Sequence, residues 1–103
     1  MTAGDSPSAD LVLDLVERVP PGLVTTYGDL ARMASDIGPS RVTARTVGRI
    51  MASGQREVPW WRVVGSDGRL PPGLGEPARS RLLAEGCPFA GQRVDLARAR
   101  WVP

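Results

Sequence analysis

Two short helical stretches meet at a tight turn in the first half of the chain, and this pairing limits the folds open to it. Thr26-x-x-Asp29 is a capping-box-like start. It opens a short helix from Tyr27 to about Ala34. Ser35-Asp36-Ile37-Gly38-Pro39 then reads as a turn. Ser40 follows as a cap for another helix, about Arg41 to Ala52, closed near Gly54. The apolar side of that helix is Thr43, Val47, Ile50 and Met51. Its other side presents Arg41, Arg45 and Arg49 at four-residue spacing, a single stripe of positive charge. Two short helices joined by a tight turn, the second basic along its exposed face, read as a helix-turn-helix. The alternative for the stripe is a solvated basic face.

The rest of the chain supplies one domain's worth of further elements. Residues 1–7 are expected to be disordered, and residues 8–103 to form a single domain, mainly α with short strands, a winged helix-turn-helix. Ser8 or Asp10 caps a first helix running to about Val19, with Leu11, Val12, Leu15, Val16 and Val19 on one face. Pro20-Pro21-Gly22 ends it, and Leu23-Val24-Thr25 is short, β-branched and extended. Gly65-Ser66-Asp67-Gly68 is a turn signal. Leu70-Pro71-Pro72-Gly73-Leu74-Gly75 reads as a loop and a candidate wing. Pro77 suits the first position of a further helix to about Glu85, with Gly86 just past its end. Arg93-Val94-Asp95-Leu96 reads as extended, with Trp101 pinning the tail to the core.

Charge and residue chemistry narrow the function classes. The net charge is only +2, carried by thirteen arginines and no lysine. Its distribution is uneven: residues 1–38 hold two arginines against six carboxylates, net −4, and residues 39–103 hold eleven against five, net +6. A basic segment of this kind suits a polyanion, although a compositional bias toward arginine gives the same count. The chain has no histidine, which removes every mechanism that needs imidazole as base, shuttle or ligand. With a single cysteine, Cys87, no zinc site, other metal or cofactor is expected, and no internal disulfide can form. No apolar run approaches the roughly 20 residues of a membrane span, and Met1 to Pro7 lacks the features of a signal peptide. The expected location is the cytoplasm, associated with the nucleoid when bound to DNA.

Four segments in register carry a family resemblance. They are Thr26-Tyr27-Gly28-Asp29-Leu30-Ala31, Ala44-Arg45-Thr46-Val47-Gly48, Pro59-Trp60-Trp61-Arg62-Val63 and Leu82-Leu83-Ala84-Glu85-Gly86. Their order and spacing resemble the C-terminal domain of O6-alkylguanine-DNA alkyltransferases, from about residue 10 to residue 103. That family's active site reads Pro-Cys-His-Arg-Val, and here it reads Pro59-Trp60-Trp61-Arg62-Val63. Tryptophan at the acceptor position offers no thiolate for the displacement, and Trp61 cannot shuttle a proton. Glu85, at the position of the third partner, is left with nothing to orient. The pattern is similar to the alkyltransferase-like proteins, which keep the DNA-binding machinery and lose the alkyl acceptor. Tryptophan at the histidine position as well is a further departure.

The resemblance implies a non-enzymatic protein that recognises O6-alkylguanine in double-stranded DNA. Tyr27 matches the tyrosine that rotates a phosphate of the target nucleotide, and Arg45 the arginine that fills the gap left in the duplex. Gly48 allows close backbone approach, and the helix enters the minor groove, which makes readout nearly independent of sequence. Arg41 and Arg49 are expected phosphate ligands. Met51, Pro59, Trp60, Trp61 and the backbone of Val63 match the wall of the alkylguanine pocket. Indole surface there gives a flipped purine something to stack on, worth about 1–3 kcal/mol per base. Alternatively Trp60 and Trp61 fill that pocket, and Tyr27 is a core aromatic. Cys87 is expected to be an inert, partly buried thiol. The implied partners are damaged duplex DNA and nucleotide excision repair proteins, with the protein itself a monomer. Two other readings compete: a sequence-specific winged-helix regulator, and an active alkyltransferase using Cys87.

Overall fold

The computed structural model describes residues 7–103. Short helices dominate it: α1 (Pro7–Arg18), α2 (Tyr27–Ile37), α3 (Ala44–Ser53), α4 (Gly75–Ala84) and α5 (Leu96–Ala99). Among them lie two-residue strands β1 (Thr25–Thr26), β2 (Val63–Val64), β3 (Phe89–Ala90) and β4 (Arg93–Val94), and a 3-10 turn at Trp60–Arg62. The chain is thus mainly α with short strands, as its sequence implies.

Two cores are joined by one pair of strands. In the first, Val12, Leu15 and Val16 of α1 meet Leu30 and Ala34 of α2 and Val47 and Ile50 of α3. In the second, Leu82 of α4 meets Val24, Val64, Cys87, Val94 and Ala99. Between them β1 and β2 pair in parallel, Thr25 opposite Val63 and Thr26 opposite Val64. Successive strand residues face opposite ways, so Val63 enters the first core and Val64 the second. Parallel neighbours need a long crossover between them, and here α2 and α3 lie within it. The helix-turn-helix is therefore anchored by strands at both of its ends.

Backbone and side chains both tie the tail to this framework. The Val24 N–H donates to Ala99 O at 2.9 Å, and the Trp101 N–H donates to Val24 O at 2.7 Å. The Arg100 guanidinium donates to both carboxylate oxygens of Asp29, at 2.8 and 2.7 Å. The antiparallel β3–β4 pair docks on the turn at Gly68, whose carbonyl accepts from the Val94 N–H at 2.9 Å. Gly68 has φ +85°, and a Cβ there would stand 2.3 Å from Val94 O, so only glycine fits.

Several element boundaries differ from the sequence expectation. Helix α1 already includes Pro7, because a proline in the first turn forfeits no intrahelical hydrogen bond; the remainder of the segment expected to be disordered lies outside the described residues. Helix α2 continues to Ile37 and stops at Gly38. Its Ser35 hydroxyl donates to Val42 O at 3.1 Å and accepts from the Val42 N–H at 2.8 Å, which draws the connecting segment in and buries Val42. Helix α3 consequently starts at Ala44, capped by Thr43 rather than Ser40, with Thr43 Oγ1 accepting from the Thr46 N–H at 3.1 Å. Arg41 precedes the helix, so the expected three-arginine stripe is reduced to Arg45 and Arg49.

Helix α4 starts at Gly75, which makes Pro77 its third residue; the first-turn N–H groups lack helical acceptors anyway. Gly86 ends that helix as expected, with φ +79° and hydrogen bonds from the Gly86 N–H to Leu83 O and from the Cys87 N–H to Leu82 O. The tail is not extended throughout, since Leu96–Ala99 forms a helical turn.

Candidate nucleic-acid interface

Tyr27 is placed by the cap that precedes it. Thr26 Oγ1 accepts from the Asp29 N–H at 3.0 Å and fixes the start of α2. The Tyr27 ring lies half-buried against the first core. Burial raises its phenol pKa, so the hydroxyl stays neutral and able to donate to an anion.

Tyr27 faces an open hollow of about 1420 Å³, larger than the roughly 300–1,000 Å³ typical of small-ligand clefts. Arg45, Gly48 and Met51 of α3 form one wall. Pro59, Trp60 and Trp61 form another, and Pro71, Pro72 and Leu74 of the expected wing loop line it too. The hollow thus brings together Tyr27, Arg45, Gly48, Met51, Pro59, Trp60 and Trp61. It does not include Arg41 or Arg49, which are exposed outside it, nor Val63, whose side chain is fully buried in the first core. A Cβ built on Gly48 meets nothing within 4 Å. Internal packing therefore does not demand glycine there, and its bareness leaves room on the open side of α3.

The two tryptophans meet edge to face, with ring centroids 5.8 Å apart and planes at 87°. Both are partly exposed on the wall of the hollow rather than sunk in a core. Trp61 is anchored: it packs on the second core, and its Nε1–H donates to Glu85 Oε2 at 2.9 Å. The expectation that Glu85 has nothing to orient is therefore corrected. Glu85 also receives Arg62 Nη2 at 2.6 Å, Arg62 Nε at 3.0 Å and the Gly22 N–H at 3.2 Å. Arg62 spends its Nη1 on Val19 O at 2.9 Å. One carboxylate thus joins α4, the 3-10 turn and the turn after α1. Burial alone would raise the Glu85 pKa, but the hydrogen bonds from Arg62, Trp61 and Gly22, with the Arg62 charge, hold it below the usual range.

Arg62 and Arg81 belong to this hollow and were missed by sequence reasoning as site residues. Arg81 had a signal: it lies four residues before Glu85 at the end of α4, one helical turn away. Its guanidinium stands 4.4 Å from the Trp61 ring centroid. Cys87 lies elsewhere, buried in the second core and outside the hollow's lining. Burial, with the Glu85 charge, pushes its thiol up to about 11, which leaves it protonated and a poor nucleophile near neutral pH.

The family described as 6-O-methylguanine DNA methyltransferase, DNA binding domain, matches residues 7–86. The chain belongs to this family. Among its relatives, an Escherichia coli K12 protein named DNA base-flipping protein is 36% identical over 94 residues, covering 87% of this chain and 70% of the relative. A Picrophilus torridus protein named bifunctional methyltransferase/endonuclease is 34% identical over 90 residues, 84% of this chain, although the match spans only 29% of that longer protein. The crystal structure of S. pombe Atl1 in complex with damaged DNA containing O6-carboxymethylguanine superposes with a TM-score of 0.77 at 28% identity, covering 93% of this chain and 95% of Atl1. Within the methyltransferase family these matches make the chain an alkyltransferase-like member with the helix-turn-helix DNA-binding fold.

Proposed function

We propose that the chain, acting as a single domain over residues 8–103, binds duplex DNA, turns an O6-alkylated guanine out of the stack and holds it without taking the alkyl group. The observation that carries this reading is the meeting of Tyr27, Arg45 and Trp60 on one hollow that Cys87 does not reach. Tyr27 donates to the phosphate of the target nucleotide. Arg45 enters through the minor groove and fills the vacated position, where a planar guanidinium can stack and hydrogen-bond the orphaned base. Gly48 lets the DNA backbone come close to α3, while Arg41 and Arg49 hold neighbouring phosphates. The evicted base meets Trp60 and Trp61, with Met51, Pro59 and the backbone of Val63 bounding the same pocket.

Alkyl transfer is absent from this reading because the hollow holds indoles where a thiolate and its activating base are needed. Cys87, buried in the second core away from the hollow, is poorly placed to substitute, which argues against the active alkyltransferase. The names of the E. coli and S. pombe relatives, a base-flipping protein and a protein crystallised on damaged DNA, support the binding and flipping part of the reading. A monomer that marks a lesion it cannot reverse needs a successor, and the resemblance points to nucleotide excision repair in the cytoplasm, at the nucleoid.

A gel-shift titration against duplexes with and without O6-methylguanine tests the binding claim, and intact-protein mass after incubation tests the chemistry. Tighter binding of the damaged duplex with unchanged mass is expected. Equal affinity for both duplexes, or a sequence preference that ignores damage, replaces this reading with that of a winged-helix regulator. A mass gain of one alkyl group makes the protein an enzyme.

A further inference from the structure

Four arginines line the hollow: Arg45, Arg56, Arg62 and Arg81. Two of them are neutralised within the protein. Arg56 pairs with Asp14 at 2.8 Å and with Glu17 at 3.6 Å, and Arg62 pairs with Glu85 at 2.6 Å. Arg45 and Arg81 make no ion pair among the described residues. Arg45, on α3, already has a place in the proposed function, inside the opened duplex. Arg81 stands across from it on α4, beside the tryptophans.

The Arg81 guanidinium packs on Trp61 and makes no hydrogen bond or ion pair among the described residues. It lies over Trp61, 4.4 Å from the ring centroid, a cation–π contact. Trp61 cannot swing away easily, because Glu85 holds its Nε1 and Arg62 approaches its ring to 5.5 Å. Stacking occupies the flat face of a guanidinium and leaves the N–H edge free, the edge that binds carboxylates in bidentate fashion. Glu85 cannot quench this charge, since Arg62, Trp61 and Gly22 already occupy it. The remaining acid on the lining besides Glu17 is Glu57, on the segment leading to the tryptophans.

We propose that Arg81, carried on the Trp61 face, is a specificity-determining residue that favours O6 substituents bearing an anionic group over plain alkyl groups. This rests on the lesion-binding reading above and names a ligand class within it. A carboxylate extended from O6 of a guanine lodged against Trp60 and Trp61 meets the free edge of Arg81. A methyl group meets only indole.

The test compares affinities for matched duplexes carrying guanine, O6-methylguanine or O6-carboxymethylguanine, at two salt concentrations, for the wild-type protein and for Arg81→Gln and Arg81→Lys. Arg81 is exposed on α4, so both variants fold, and circular dichroism checks this. The wild type is expected to bind the carboxymethyl duplex more tightly than the methyl one. Arg81→Gln lowers that ratio by roughly tenfold, the effect of losing one charge-assisted hydrogen bond, and changes the methyl-to-guanine ratio by much less. Arg81→Lys, with charge but no planar fork, falls between. A wild type that binds both adducts alike overturns the proposal while leaving lesion binding intact. So does an Arg81→Gln variant that weakens all three duplexes equally and flattens the salt slope, since that marks a backbone phosphate contact. Failure of the wild type to separate either adduct from guanine removes the parent reading, and this one with it.

Discussion

Arg45 and Arg49 share a helix and a charge but not a setting. Arg45 lines the hollow with Tyr27 and Trp60, whereas Arg49, four residues on, points to open solvent outside it. A residue that props open a duplex acts only when a base leaves, and a phosphate ligand acts on any duplex. Arg45→Ala is therefore expected to weaken binding of the lesion duplex more than binding of undamaged DNA, by roughly tenfold if one charge-assisted interaction is lost. Arg49→Ala should weaken both alike and reduce the salt slope by about one unit. Identical behaviour of the two variants in a salt-dependent titration rules out the flipping role. Glu85 belongs to the same scale. Glu85→Gln removes the partner of a mostly buried Arg62 whose side chain is only 13% exposed, and is expected to cost on the order of 3 kcal/mol in urea unfolding. A loss near zero would mean that solvent, not Glu85, satisfies Arg62.

The ends of α2, α3 and α4 are set by a few hydrogen bonds, and those ends are the parts hardest to read from sequence. The Thr26–Asp29 start of α2 and the Gly86 stop of α4 were legible, because a capping hydroxyl and a terminal glycine act on their immediate neighbours. The start of α3 was not. Ser40 and Thr43 both offer local caps, and the choice falls to Ser35, which grips both backbone groups of Val42 from a different helix. A contact spanning elements leaves no local trace, so the arginine stripe was drawn one residue too long. The pocket wall was legible through Pro59-Trp60-Trp61, but the role of Glu85 was not, since its partners Gly22 and Arg62 come from other parts of the chain. Thr43→Ala tests the corrected boundary. It should lower stability by about 1 kcal/mol, a drop of roughly 4 °C or more in melting temperature. Ser40→Ala should leave the melt unchanged. The reverse pattern would restore the earlier helix start.

For the molecule as a whole, two carboxylates join segments far apart in sequence, and this governs how stability responds to pH. Asp29 ties α2 to Arg100 near the chain's end, and Glu85 ties α4 to Arg62 and Gly22. The hydrogen bond from Arg100 is the main cause of the lowered Asp29 pKa, and it outweighs the opposing effect of burial; the Glu85 pKa is lowered as well. A carboxyl with a depressed native pKa contributes stability that is complete above its unfolded value, about 3.9 for Asp and 4.3 for Glu. That contribution is lost as pH falls through the lower native value, because the unfolded chain then takes up protons first. With no histidine in the sequence, no side chain with an ordinary pKa titrates between about pH 5 and 8. The expected curve of urea midpoint against pH is therefore a plateau over that range, falling below about pH 4.5. Asp29→Asn should lie below the wild type on the plateau and converge with it in acid, since the variant has already lost the charge that protonation removes. Two curves that stay parallel down to pH 2 would show that Asp29 stabilises the fold by shape alone and that the tail is held by the Val24 backbone pairing without help from Arg100.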